Sequence, residues 1–561
     1  MITWIGALLE DVHNLCNLLL LGATQIYGRL AAEVDWRCRE LRPSSVILAT
    51  LLSLALAELV LSRGRQLAGA LTVSNVLRRV RSLPLLRGYV EKELAKIGGE
   101  LRAELSAVYQ SDEFKSCLPK RSASFESVAK RLNHYKLFDS PTWRQGRLSG
   151  AVYIGSQPEK YNELMALAYR ENMWTNPLHS DVFAGVRKME GEIVRMTATM
   201  FNGDPNKVRG SVTSGGTESI ILACKAYRDY ALNVRGIRGQ PEMVVPRTAH
   251  AAFEKAARLL QMRVRFVPVN AKTFKVDMAA MRRAVGRNTC MLVGSAPGFP
   301  HGVLDPIAEI AKLGEARAIP VHVDACLGGF LIAFMKLAEF PLDERFDFGL
   351  PGVTSISADT HKYAYAPKGT SVLLYADKKF IHQQYSVQTD WPGGVYASAS
   401  LPGSRPGGLI AACWAAMMYH GLDGYVAATA RVIATSRKIE AALREIEGLR
   451  VLGNPLVSVI AFTSDRFDVY ALNQRLRELG WNLNVLQFPA AIHLCVTLMH
   501  TNAQVAESFV GDVRRQSALL LAEPAAKATG SAAVYGMSQT LPDRSLVAEV
   551  CGHYLDACLG Y

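Results

Sequence analysis

Apolar and polar positions change rhythm three times along the chain. From Val46 to Leu61, VILATLLSLALAELVL is apolar except for Thr50, Ser53 and Glu58. With its flanking serines the run reaches the length a helix needs to cross a hydrocarbon core. This predicts a transmembrane helix over 44–62, with Glu58 one turn from the end, where a carboxylate can reach the interface. A shorter apolar patch, Leu15–Ala23, is too brief to span. From Val73 to about Leu132 the pattern is helical and charged. Beyond Met200, short β-rich runs at 243–246, 264–269, 289–296, 319–325, 353–359 and 370–375 alternate with amphipathic stretches such as Phe253–Gln261 and Asp305–Arg317. That alternation predicts an α/β layered domain with a mostly parallel sheet, whose ligands sit beyond the carboxyl ends of the strands.

Composition narrows the class. At 561 residues the chain is too long for one simple core, and 49% apolar with 20% charged residues describes a folded protein. Its ten cysteines are scattered, with no CxxC or Cys/His ligand spacing. This argues against a disulfide scaffold and a structural zinc, and for a reducing compartment. The formal charge is +13, and residues 1–150 hold 21 Lys+Arg against 14 Asp+Glu. No aromatic-interleaved basic stretch accompanies that excess, so nucleic acid is not the expected partner. Attraction of a juxtamembrane region to anionic lipid explains its location better. Four arginines (29, 37, 39, 42) precede the apolar run and five (63, 65, 78, 79, 81) follow it, a narrow bias toward a cytosolic C-terminal side.

Three strand exits carry candidate chemistry. In SVTSGGTES, Gly216 and Thr217 open a helix whose N–H groups and dipole suit a phosphate, although Ser-Gly-Gly-Thr is also an ordinary loop and cap. In IPVHVDACLGGF, Asp324 ends an apolar run. A carboxylate there can keep a heterocyclic nitrogen protonated, or be a satisfied turn residue. In SISADTHKYAYAPKG, Lys362 stands at a strand exit where an ammonium is costly to bury unless paired or deprotonated. A desolvated lysine amine forms Schiff bases with carbonyl compounds. Phosphate cradle, acidic partner and amine, in that order, are the three handles that pyridoxal phosphate requires. His250, in RTAHAAFEKAA, follows another strand and could stack on a ring face.

From about Tyr135 onward the chain resembles the sphingosine-1-phosphate lyase family of fold-type I pyridoxal-phosphate enzymes. The resemblance rests on NPLHSDVF (176–183), TSGGTES (213–219), TAHAAFEKA (248–256), SAPGFPHGVLDPI (295–307), HVDACLGGF (322–330), SADTHKYAYAPKG (357–369), GSRPG (403–407) and YGMSQTLPDRS (535–545). Ala364 departs from it, standing where relatives usually have Gly. The resemblance implies a transferase-like large domain over 136–425 and a smaller C-terminal α+β domain over 426–561. Ahead of them it sets an N-terminal segment (1–43), the transmembrane helix and a helical linker (63–135).

The same resemblance implies roles, residue by residue. Lys362 bonds the cofactor carbonyl, Asp324 pairs with the pyridine nitrogen, and His250 stacks on the ring. Gly216 and Thr217 hold the cofactor phosphate, with His361 beside Lys362 also a cofactor residue. Gly403 and Ser404 approach that phosphate from the partner chain of a homodimer with shared sites. Tyr153, Asn176, His179 and Lys368 meet the substrate phosphate or assist proton transfer, and Tyr535 lines the same pocket. The implied reaction cleaves the C2–C3 bond of a phosphorylated sphingoid base, giving a long-chain aldehyde and phosphoethanolamine. The implied setting is the endoplasmic-reticulum membrane, with a single span and the catalytic domain facing the cytosol. An amino-acid decarboxylase on the same fold shares the Asp and the His-Lys pair, but needs neither the phosphate-reading set nor the span. A catalytically silent membrane scaffold has no use for an amine at that strand exit.

Overall fold

The computed structural model describes residues 84–109, 112, 114–155, 158–528 and 544–560. The apolar run at 44–62 and Tyr535 lie outside these residues. Among the described residues no helix is long and apolar enough to cross a membrane. Two units emerge. The smaller pairs the helices Pro84–Ser106 and Arg544–Cys558. Their approach is close enough that a Cβ added at Gly98 would lie 3.1 Å from His553 Nδ1. The last helix therefore groups with residues far upstream rather than with 426–528, its neighbours in the expected domain 426–561.

The larger unit is built on a seven-stranded sheet. Its strands are β1 (Arg209–Thr213), β2 (Glu242–Pro246), β3 (Arg263–Val267), β4 (Thr289–Ser295), β5 (Val321–Asp324), β6 (Ser355–Ala358) and β7 (Ser371–Tyr375), in the order β1-β7-β6-β5-β4-β2-β3. Pairing is parallel from β6 through β5, β4 and β2 to β3, and β7 alone runs against its two neighbours. Helices Gly216–Asn233, Ala252–Leu260, Met278–Ala284, Ile307–Ala316 and Gly329–Met335 make the crossovers.

Burial explains why these runs form strands. Every residue of β2, β4, β5, β6 and β7 is buried, as a sheet covered on both faces requires. Each buried Val, Leu or Ile contributes about 1.5–3 kcal/mol. The edge strand β3 is mostly exposed and carries Arg263 and Arg265, both ion-paired to Glu242. Charged side chains there discourage edge-to-edge pairing.

Strand direction then fixes where chemistry can gather. The exits of β1, β2, β4, β5 and β6 and the start of β7 share one edge of the sheet, so the three chemistry-bearing exits face one place.

A two-stranded ribbon, β8 (Ser386–Gln388) with β9 (Tyr396–Ser398), precedes the helical stretch Gly407–Arg444, which breaks at Gly421 (φ 56°, ψ −174°). This stretch leads to an antiparallel sheet of β10 (Arg450–Val451), β11 (Val459–Thr463), β12 (Asn484–Leu486) and β13 (Ala491–Cys495), ordered β10-β11-β13-β12. Helices Val469–Glu478 and Ala503–Ala522 complete it. Trp481 anchors the packing, fully buried, edge-on to Phe509 and donating Nε1–H to Asp512 Oδ2 at 2.9 Å.

Candidate active site

The lysine turn follows β6 directly. Asp359 directly follows β6, and the N–H of Lys362 donates to the Asp359 carbonyl at 3.2 Å, closing a turn that returns the chain to β7. Ala364 is buried without a positive φ. The left-handed residue is its neighbour Tyr365 (φ 60°), so the backbone at position 364 does not require a glycine.

This turn places Lys362 Nζ 2.8 Å from Asp359 Oδ2, with Asp359 only 3% exposed. Burial alone would drive the ammonium toward losing its proton. The Asp359 carboxylate overrides it, with Asp324 adding to the effect, and holds the Lys362 pKa above the ordinary lysine value. For Asp359 itself, burial would raise the pKa, but Lys362 and His361 override it and the net shift is downward. His361 Nε2 lies 3.7 Å from Asp359 Oδ2, and burial is the main force lowering its pKa.

The phosphate-type loop comes against this pair. A Cβ added at Gly216 would sit 2.8 and 2.9 Å from the two Asp359 carboxylate oxygens and 2.9 Å from Cys326 Sγ. One added at Gly215 would lie 3.6 Å from His361 Cε1. Gly216 and Thr217 form the first turn of the helix Gly216–Asn233, whose leading N–H groups have no helical acceptor. Glu218 braces the loop from behind. Its carboxylate accepts Ser214 N at 2.7 Å, Ser214 Oγ at 2.6 Å and Leu401 N at 3.1 Å. Gly216→Ala is expected to cost about 1–3 kcal/mol of stability through overpacking and to weaken cofactor binding. Thermal unfolding and a cofactor titration would check the two effects.

Asp324 closes β5 beside the lysine strand, paired in register with Ser357 and accepting Cys326 N at 3.1 Å. Two residues before it, His322 is fully buried between Ser355 Oγ (2.8 Å) and Ser357 Oγ (3.2 Å), and burial pushes its pKa down to about 4. This ring ties β5 to β6 just ahead of Asp324. His250 starts the turn into the helix Ala252–Leu260, accepts Ala252 N through Nδ1 at 3.1 Å, and is exposed. Its ring is therefore open to a stacking partner.

The substrate-side residues divide. Lys368 Nζ sits 5.0 Å above the centroid of the Tyr153 ring, which meets Tyr363 edge-on at 4.8 Å. Tyr153 is buried, and burial first, then Cys495 and Asp359, raises its phenol well above the ordinary tyrosine value. Burial and the like charge of Lys362 lower Lys368. Tyr153, Lys362 and Lys368 therefore share one pocket. Asn176 belongs to a different arrangement. Its Oδ1 accepts Leu178 N and Arg405 N, each at 3.1 Å, and its Nδ2 donates to Ser404 Oγ at 3.0 Å, so Asn176 brackets the GSRPG loop. Close approach there demands Gly407, because a Cβ would fall 1.9 Å from Thr175 Oγ1. Arg405 is held by Glu190 at 2.9 Å. His179 is exposed. Among the described residues no hydrogen bond joins Gly403 or Ser404 to Lys362, Asp359 or Asp324 of the same chain.

Sequence reasoning missed Asp359, Glu218 and Cys495. Asp359 shares with Asp324 a place at a strand exit, but its strand, Ser-Ile-Ser-Ala, has no apolar run to make a carboxylate stand out. Cys495, on β13, has no local signal and reaches the pocket only through the fold.

The donor set fits pyridoxal phosphate: a buried amine, a strand-end carboxylate, and a helix start flush with its cradle. Asp359 Oδ1 and His361 Nδ1 are buried beside that cradle without hydrogen-bond partners, as polar atoms facing a ligand position would be.

Comparison with known proteins agrees. Residues 175–464 match the pyridoxal-dependent decarboxylase conserved domain. Sphingosine-1-phosphate lyase 1 of Rattus norvegicus is 49% identical over 484 residues, covering 86% of this chain and 84% of that protein. The structure of a Burkholderia pseudomallei sphingosine-1-phosphate lyase superposes with a TM-score of 0.71 at 40% identity, over 74% of this chain and 96% of that one. A Lactobacillus brevis glutamate decarboxylase shares the fold at 19% identity (TM-score 0.63, covering 75% and 98%).

Proposed function

Because the chain belongs to the sphingosine-1-phosphate lyase family, we propose that its strand-end pocket cleaves the C2–C3 bond of a phosphorylated sphingoid base. The products are a long-chain aldehyde and phosphoethanolamine. The chain is a pyridoxal-phosphate-dependent lyase. One observation carries the assignment to this pocket: Lys362, ion-paired to Asp359, lies where the helix start at Gly216 meets the exits of β5 and β6.

When bound, pyridoxal phosphate supplies a carbonyl for amines and an electron sink for the pair released by the cleaved bond. The chain's own residues supply the rest. Gly216 and Thr217 would hold the cofactor phosphate, Asp324 would keep a proton on the ring nitrogen, and His250 would cover the ring face. With its phenol pKa raised, Tyr153 keeps its proton at Oη and acts as a donor. Lys362 Nζ, a neutral amine once the substrate amine displaces it, or Lys368 Nζ, whose pKa burial and Lys362 lower, can then take the C3 hydroxyl proton. Lys368 also presents charge to the substrate phosphate. Lys368→Ala is expected to raise KM for the phosphorylated substrate roughly ten- to a hundredfold, the loss of one charge-assisted contact, with a smaller change in kcat. Steady-state kinetics on matched phosphorylated substrates would check it.

The working unit in this reading is a homodimer, in which Gly403 and Ser404 complete the partner's cofactor-phosphate site, and Asn176 orders that loop. Exposed Trp174 (86%) and Leu401 (57%) flank the two loops and support a covered surface there. The 44–62 run would anchor the enzyme in the endoplasmic-reticulum membrane with its catalytic body in the cytosol, beside a substrate that has a lipid tail and an anionic head. Purified protein with added pyridoxal phosphate should release long-chain aldehyde and phosphoethanolamine from a phosphorylated sphingoid base. Release of carbon dioxide from glutamate or an aromatic amino acid, with no aldehyde, would favour the decarboxylase reading instead.

A further inference from the structure

The Lys362–Asp359 pair has a consequence for how the enzyme acquires its cofactor. A carbonyl compound reacts with a neutral amine, yet Lys362 Nζ lies 2.8 Å from a carboxylate that is 3% exposed. Among the described residues Asp359 has no other cation so close, since His361 is at 3.7 Å and burial favours its neutral form. The other groups facing Lys362 offer little competition. Burial holds Cys326, in the turn after β5, and Cys495, on β13, as thiols. Asp324 adds its pull in the same direction as Asp359, and Lys368 opposes it. Asp359 also abuts the cradle, its two oxygens 2.8 and 2.9 Å from where a Gly216 Cβ would sit.

We propose that Asp359 is a positioning residue that parks Lys362 as an ammonium facing the phosphate cradle, so that cofactor loading is gated by release of one proton from this pair. This rests on the reading of Lys362 as the carbonyl-reactive amine. In the step, the ammonium gives one proton to solvent. Its lone pair bonds the carbonyl carbon, and the two remaining amine protons leave with the carbonyl oxygen as water. No oxidant or further reactant is needed. Asp359 opposes the first event and aims the nitrogen for the second. Free enzyme therefore loads slowly near neutral pH and faster as pH rises, and Asp359 sets where that rise falls.

The test is the rate at which cofactor-free protein takes up pyridoxal phosphate as a function of pH. It is followed by visible absorbance and by borohydride trapping of a peptide containing Lys362. Asp359→Asn should move the loading profile at least one pH unit downward, which near neutral pH is about tenfold faster uptake. Asp359→Glu, which keeps the charge, should return it toward wild type. A profile for Asp359→Asn that superimposes on wild type overturns the proposal while leaving Lys362 as the reactive amine. Absence of trapping at Lys362 in wild type overturns the underlying reading instead. Should Asp359→Asn fail to fold, competitive acetylation of the wild-type cofactor-free protein across pH decides. Lys362 labelling with a midpoint above that of surface lysines supports the proposal, and a midpoint at or below theirs overturns it.

Discussion

Lys362→Ala is expected to abolish the cofactor's visible absorbance band and to lower turnover at least about a thousandfold, the scale on which losing a covalent group is felt. The neighbouring amine is not expected to substitute, because Lys368 Nζ lies over the Tyr153 ring. The substitution also strips Asp359 of its cation in a buried site. Breaking a buried pair from one side costs up to about 3–5 kcal/mol, so the single variant could lose activity through unfolding alone. A double variant, Lys362→Ala with Asp359→Asn, removes the stranded charge. Recovery of thermal stability in the double variant, without recovery of the absorbance band or of aldehyde release, assigns the loss to the missing amine. Aldehyde release by the double variant at wild-type rates would sink the role given to Lys362.

The second large effect is expected at Asp324. An asparagine fits the same strand end and can still accept the Cys326 N–H, so the fold and cofactor uptake should survive. It cannot hold a proton on a heterocyclic nitrogen by charge. Removing one such preorganised electrostatic contact typically costs about a hundred- to a thousandfold in turnover. Asp324→Asn should therefore keep trapping at Lys362 while aldehyde release falls by that factor. A variant with turnover within a few-fold of wild type would mean that Asp324 only caps the turn after β5.

Much of this arrangement is legible in the sequence alone. The six strand runs read from alternation fall within two residues of the observed ends, because each becomes buried on both sheet faces or sits at its edge. β1 was missing from that set. Its RGSVT has one branched apolar residue and buries hydroxyls instead, Ser211 on Gln384 Nε2 at 3.0 Å and Thr213 on Ser219 Oγ at 2.7 Å. Paired hydroxyls carry no hydrophobic rhythm, so the strand was audible only through the glycines after it.

Among the expected site residues, Tyr153, Lys362 and Lys368 meet in one pocket, and Gly216 comes against the lysine's carboxylate partner. Asn176 binds its own chain's loop, which a motif cannot reveal, since the motif holds only one end of each contact. Asp359 shows in the sequence only as a carboxylate one residue past a serine-rich strand. Glu218 was hidden inside a helix start, where a glutamate reads as favourable charge placement rather than as a brace for Ser214 and Leu401.

One bond in the pocket wall joins distant parts of the chain. Ser149 Oγ accepts the N–H of Cys495 at 2.8 Å across 346 residues, and Tyr363 donates its hydroxyl hydrogen to the Val496 carbonyl in the same wall. On a ribosome adding about 5–20 residues each second, that separation is roughly 20–70 s of synthesis. The large sheet can collapse during that interval, since its strands all precede Ala376. From Lys362 to Cys495 is 133 residues, roughly 7–27 s of synthesis, and for that time the future reactive lysine faces water where Cys495 will later stand. Maturation is therefore ordered in time: the nascent enzyme has its amine long before it has an enclosed place to use it.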